Sequence, residues 1–215
     1  MARLGIYTLD FRFYYRVLHL LKEWNVPFVS IEKPNDIPSD VPVVLSSVDD
    51  DDIQFEQIRD NDAMRAIRRA IPYLLDKKLF NEIFIGIDPG PKPGVAVLAD
   101  RVLIEAFELG DVFSVAENIE NIIMGYNTHF MSIRIGNGDK PNREKIIQEL
   151  KNVDVPIDIV DEGGTSMPHK THDNVISAAR IANIENFNKE KVQRIKKSKR
   201  RTQIEREFVT IKAFL

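Results

Sequence analysis

The sequence predicts an α/β protein in three parts: a small α/β module over residues 1–78, a domain over 79–187 built on a mixed five-stranded sheet flanked by helices, and a basic C-terminal arm over 188–215. Three observations carry this. Residues 82–100, EIFIGIDPGPKPGVAVLAD, read as two apolar strands joined through a glycine- and proline-rich turn. On both sides of that hairpin, short apolar runs of strand length alternate with segments whose apolar residues recur at helical spacing. Between Lys189 and Arg206, nine Lys or Arg stand against two Glu, a local balance of +7 in a chain of net charge −3, which leaves −10 for the rest.

With 215 residues, 43% hydrophobic and 29% charged, the chain can bury one good core, or a moderate core with a small neighbour. No apolar run reaches membrane-spanning length and the N-terminus carries no leader pattern, so a soluble, cytoplasmic protein without a membrane partner is expected. The absence of cysteine excludes disulfides, zinc–thiolate sites and cysteine nucleophiles.

In the first module, Arg3 to Thr8 reads as a strand. Phe11 to Trp24 reads as an amphipathic helix through Tyr14, Val17, Leu18 and Leu21, stopped by Asn25 and Pro27. Residues 27–31 and 41–47 form two more strands, with Pro34, Pro38 and Pro42 holding the connection extended. The crossover helix implies at least one parallel pair. Asp49 to Asp52 has the look of a metal site, but four consecutive carboxylates cannot face one way, so the run is read as a solvated loop. Residues 62–77 form a helix capped by Asp62 and kinked at Pro72, giving three strands and two helices in all.

After the hairpin, residues 102–109 make a third strand, and Asp111 caps a helix to Met124 whose Val112, Val115, Ile119 and Ile122 share one face. Residues 130–135 form a fourth strand, broken by Gly136-Asn137-Gly138-Asp139. A second helix follows over 141–151 with proline in its first turn, then a fifth strand over 156–160 ending on Asp161 and Glu162, and a third helix over 172–186. Short connections make the first three strands an antiparallel meander and the last two parallel crossovers.

This order, with GIDPGPKPGVAVL at one end and HDNVISAARIA at the other, resembles the ribonuclease H-like superfamily over roughly residues 80–187, particularly its RuvC-like resolvase and YqgF-like branches. The resemblance implies a metal-dependent nuclease on structured DNA or RNA, with a junction resolvase as one form. It implies acids on the first strand, near the fourth strand and on the last helix that together hold two divalent metals. Asp88 matches the first acid, with Gly90 and Gly94 in the turn, and Asp173 opens the last helix. Where resolvases carry a glutamate after the fourth strand this chain has IRIGNGD, so Asn137 or Asp139 stands there. VDEGGTS resembles the acidic segment of YqgF-like proteins and brings Glu162 into the set. The second acid of the last helix falls near Ser177 and is absent.

A separate physical reading points the same way. Open α/β sheets bind ligands beyond their strand ends, where Asp88, Asn137, Asp139, Asp161 and Glu162 all fall. Converging carboxylates need a counter-ion, and hard oxygen ligands without cysteine point to Mg²⁺ or Mn²⁺. Two such ions roughly 4 Å apart would activate a water and stabilise a leaving oxygen, with Asp88 bridging them. The competing reading makes these acids helix caps and turn residues, and for Asp139 and Asp161 it is the stronger one. His169 and His172 flank Asp173 and are more often plain loop residues than proton donors. Arg134 and Lys170 are candidates for phosphate contacts. Lys196, Lys197, Lys199, Arg200 and Arg201 form the heart of a phosphate-neutralising run. The final FVTIKAFL alternates like a strand that would pair with a sheet edge across a homodimer. Two other classes fit parts of the pattern: a non-catalytic nucleic-acid-binding or scaffold protein, and an actin- or hexokinase-like ATPase, which needs a second acidic hairpin.

Overall fold

A computed structural model describes residues 2–161, 173–184 and 200–213. Two compact units emerge: Met1–Phe80 with Asn121–Asn127 and Phe214–Leu215, and Asn81–Glu120 with Thr128–Ala213.

The first unit contains β1 (Leu4–Ile6), α1 (Phe11–Trp24), β2 (Phe28–Ser30), β3 (Val44–Ser46), β4 (Gln57–Arg59) and α2 (Ala63–Ala70). Its sheet has the order β2-β1-β3-β4, with all three neighbouring pairs parallel. Helix α1 starts where the Asp10 carboxylate accepts the amides of Arg12 and Phe13. It buries Phe13, Val17 and Leu21 along one stripe. It stops at Asn25, which takes a left-handed φ of 57° and returns its N–H to the carbonyls of Leu21 and Lys22.

Three expectations for this unit are corrected. The sheet has a fourth strand, Gln57–Arg59, which periodicity misses because its three half-buried residues include only one apolar side chain. The helix expected over 62–77 is α-helical only to Ala70 and continues as a 3₁₀ turn, Ile71–Leu75, with Pro72 in its first turn. Proline has no N–H for an i−4 bond, which accounts for the change. The run from Asp49 to Asp52 is not simply solvated: Asp50 is 6% exposed, and its carboxylate accepts the amides of Leu9 and Ser47 at 2.7 Å each.

The second unit is mixed α/β. Its elements are β5 (Phe80–Asp88), β6 (Gly94–Ala99), β7 (Val102–Glu108), α3 (Val115–Gly125, entered through a 3₁₀ turn), β8 (Thr128–Gly136), α4 (Lys140–Glu149), β9 (Ile157–Val160), α5 (Asn174–Ala182) and α6 (Arg200–Glu207). The five strands lie in the order β7-β6-β5-β8-β9. The β5/β6 and β6/β7 pairs are antiparallel and β8/β9 is parallel. Every residue of β6 is buried, as a strand covered on both faces requires.

Helix α5 lies on this sheet through Ala178, Ala179 and Ala182, which share an apolar cluster with Ala96, Leu98, Leu103 and Phe208. Small residues let it approach closely: a Cβ on Gly86 would lie 2.1 Å from the carbonyl oxygen of Ala178. The strand expected at the C-terminus is also corrected. Leu103 donates its N–H to the carbonyl of Val209 at 2.8 Å and Thr210 makes one isolated bridge to Leu103, after which Ile211–Ala213 turn as a 3₁₀ helix. Phe208 and Ile211 are the buried pair, three residues apart, which suits a turn rather than a strand. This segment thus meets the outer edge of β7 within its own chain. Among the described residues no helix is long and apolar enough to cross a membrane.

Candidate functional site

The second unit gathers its candidates around Gly94. In the antiparallel register this glycine faces Asp88, the half-buried last residue of β5, on one side and Glu108, at the end of β7, on the other. Its missing side chain leaves room for the start of α5, because a Cβ here would sit 1.9 Å from the carbonyl oxygen of Asn174. Asn174 then staples the three elements: its side-chain amide donates to the Lys92 carbonyl at 2.7 Å and to Oε2 of Glu108 at 3.1 Å. The strand that carries Asp88 and the helix preceded by Asp173 therefore meet at one end of the sheet.

Helix initiation employs the acids that lie there. Oδ1 of Asp173 accepts the amides of Val175 and Ile176 at 3.1 and 3.4 Å, an N-cap for α5. Oδ1 of Asp139 accepts the amide of Asn142 at 3.2 Å, and Oδ2 takes the Asn142 side chain at 2.7 Å, an N-cap for α4. Asn137 binds Arg143 through its backbone carbonyl and its side-chain oxygen. Asp161 follows β9 on the surface. Glu162, His169, Lys170 and His172 lie outside the described residues, as do Lys196, Lys197 and Lys199; Arg200 and Arg201 open α6, their side chains also outside what is described. Among the described residues no group of three or more His, Cys, Asp or Glu is arranged to hold a metal ion. Among the described residues, two carboxylates from converging elements, one of them capping a helix, do not by themselves fit a Mg²⁺ or Mn²⁺ centre.

Arg134, expected to meet phosphate, is a structural residue. It is 4% exposed, donates to the Ala182 carbonyl at 2.5 Å and lies 3.5 Å over the ring of Phe84. The guanidinium thus holds the C-terminal end of α5 to the sheet, and its flanking Ile133 and Ile135 are fully buried.

In the first unit the strand order reverses between β1 and β3, the place where open α/β sheets take ligands. Asp50 stands there as a clamp. By accepting the amides of Leu9 and Ser47 it ties the loop after β1 to the loop after β3. Arg59 closes the second loop, donating to the Asp50 carbonyl and to the Asp52 carboxylate at 2.5 Å each. Next to it Asp60, 3% exposed, accepts from Nε and Nη2 of Arg65 at 2.6 and 2.5 Å and from Nη1 of Arg69 at 3.1 Å. Burial pushes the Asp60 carboxyl up, but the Arg65 hydrogen bonds, the amide of Asp62 and the two guanidinium charges outweigh it, and the group rests below the usual carboxylate range.

Sequence reasoning missed Asp50, Asp60 and Glu108. For Asp60 a signal was present: Arg65 and Arg69 are four apart, hence on one helix face, with an aspartate just before the Asp62 cap. Glu108 is visible only once the hairpin register sets it beside Gly94.

Against known proteins, a family model described as a response regulator receiver-like domain matches residues 3–74, about a third of the chain. The resemblance drawn from the hairpin and the last helix is corrected by this result: the family model that matches, over residues 3–74, is receiver-like, not ribonuclease H-like or RuvC-like. No curated protein matches the chain. The chain is thus similar, over β1 to the turn after α2, to a response regulator receiver-like domain.

Proposed function

We propose that this protein is a non-catalytic binding protein, in which a receiver-like unit precedes a mixed-sheet unit that engages nucleic acid through its basic C-terminal segment. One observation carries the non-catalytic reading: Asp50, Asp139 and Asp173, all beside strand ends or helix starts, accept backbone amides. Carboxylate lone pairs held this way organise loops and helices rather than a reacting water. The receiver-like match over residues 3–74 supports a regulatory role for the first unit. The nine Lys or Arg between Lys189 and Arg206 support a polyanionic partner.

A second reading, a Mg²⁺- or Mn²⁺-dependent nuclease on structured nucleic acid, is favoured by the meeting of the Asp88 strand and the Asp173 helix at Gly94. The strand order β7-β6-β5-β8-β9 supports a ribonuclease H-like architecture for the sheet, as a statement about topology alone. Glu162 is the acid this reading would add. The actin- or hexokinase-like alternative has less support, because the sheet of the first unit is made of parallel pairs and offers no second hairpin among the described residues.

The test is to titrate the full chain into fluorescent branched DNA, RNA/DNA hybrid and single-stranded RNA, with Mn²⁺, Mg²⁺ or chelator, alongside Asp88→Asn. The expected result is binding that weakens steeply between about 50 and 200 mM salt, ignores the chelator and leaves the substrates uncut. Metal-dependent cleavage lost in Asp88→Asn overturns the non-catalytic reading in favour of the nuclease. Binding that is absent, or insensitive to salt, removes nucleic acid as the partner.

A further inference from the structure

We propose that the first unit pairs with a second copy of this chain through the face where β1 and β3 end, forming a twofold dimer. The centre of that face is apolar. Leu9 is 87% exposed and Phe11 78%, and Val48 and Tyr15, one turn after Phe11 on α1, are exposed beside them. The Asp50 carboxylate accepts the amides of Leu9 and Ser47, so the loop that carries Leu9 is fixed against the loop that carries Val48. Single exposed apolar side chains are ordinary, whereas several held together on one face mark a place of contact.

Charge selects the occupant. On one flank, Arg12 and Arg16 stand one turn apart on the exposed side of α1. On the other, Asp49 and Asp51 lie exposed in the loop after β3. The sheet order separates the two flanks: α1 crosses from β1 to β2 and the loop runs from β3 to β4, in a sheet ordered β2-β1-β3-β4. Among the described residues none of these four side chains makes a hydrogen bond or ion pair, whereas Asp52 is held by Arg59 and Asp10 is occupied as the cap of α1.

Such a face is its own complement. A twofold axis through Leu9 and Phe11 carries the arginines of each copy to the aspartates of the other, and every contact is made twice. A purely acidic partner would set like charge against the aspartates, and a purely basic one against the arginines. Pairing breaks no existing side-chain bond of the four. The face is small, however: a standard interface takes roughly 20–30 residues a side, far more than the side chains named here. The dimer is therefore reversible, with a dissociation constant on the order of tens of micromolar.

The test is sedimentation velocity of the full chain between about 1 and 300 µM at about 50 mM salt, where surface charge is weakly screened. Two charge reversals accompany the parent: Arg12→Glu with Arg16→Glu, and Asp49→Lys with Asp51→Lys. The parent should pass from monomer to dimer across that range. Each reversal alone should weaken association roughly ten-fold or more, since like charges then face each other across the axis. An equimolar mixture of the two should regain the parental association, because each copy then meets the opposite sign on both flanks. If a reversal does not fold by far-UV circular dichroism, Phe11→Ser, which removes an exposed apolar side chain from the centre, replaces it and should weaken the dimer as much. A parent that stays monomeric at every concentration overturns the proposal. So does a dimer that the reversals leave intact, a loss confined to the aspartate reversal, or a mixture that associates no better than its components.

Discussion

Gly94 and Asn174 meet backbone to backbone: a Cβ on the glycine would come within 1.9 Å of the asparagine carbonyl oxygen. The obstructing atom belongs to the first turn of α5 and cannot swing aside as a flexible side chain would. Gly94→Ala is expected to displace that turn and to cost about 2–3 kcal/mol or more, the scale of overpacking in a rigid core. Urea unfolding of the variant beside the parent protein measures this directly. A variant of parental stability would mean that the helix start is not seated where the close approach puts it.

The Asp50 clamp leads to a second expectation. Removing its carboxylate leaves the amides of Leu9 and Ser47 without their acceptor inside a closed pair of loops. Asp50→Ala should lower stability by about 2 kcal/mol, within the range for orphaned buried donors. Asp49→Ala, one residue away and exposed, should change it by less than about 0.5 kcal/mol. Equal effects from the two substitutions would dissolve the distinction between clamp and loop.

Acid should act on the first unit through Asp60. Its carboxyl is held below the usual range when folded, so the unfolded chain takes up the proton more readily. The stabilisation is complete above the unfolded-state value of about 3.9 and disappears as pH falls through the lower folded value. Asp60→Asn should therefore be less stable than the parent at pH 7, with the difference shrinking below about pH 4. Denaturation at a series of pH values checks the sign; a gap that widens in acid would contradict it.

Tyr73 offers a spectroscopic counterpart. Burial and then its hydrogen bond to Glu56, 2.7 Å long, push the phenol up to about 12. The neutral hydroxyl is the form that the fold favours, so this contribution is complete below the ordinary phenol value of about 10 and is lost as pH rises through 12. Tyr73 should ionise late in an ultraviolet titration, and Tyr73→Phe should remove that contribution. Glu56→Gln should move it to lower pH.

Local pattern made most of the elements legible. Helix α1 with Val17 and Leu21 on its inner face, the Asp62 and Asp111 caps, and the hairpin around Gly90 and Gly94 each follow from a few neighbouring residues and appear close to where the sequence puts them, although Phe13 is buried in α1 where Tyr14 and Leu18 were expected and these two are half-buried. Strand β4 was not legible, since a three-residue strand holds too little alternation to stand out. Nor was the 3₁₀ turn at Ile211–Ala213, where spacings of two and three fit the same short stretch. Within Asp49 to Asp52, nothing in four identical side chains marks Asp50 as the one that turns inward.

Amino-acid order alone determined that this is an α/β chain with a glycine–proline hairpin, an acidic body and a basic C-terminal run, because periodicity, turn chemistry and charge are properties of near neighbours. Only the folded chain decided which acids organise backbone: Asp50 across two loops, Asp173 and Asp139 at helix starts, Asp60 beneath two arginines. A carboxylate's role depends on which donors lie within about 3 Å of it. Those donors are brought there by strand register and by the close approach of α5 to Gly94, across distances in sequence that no local pattern spans.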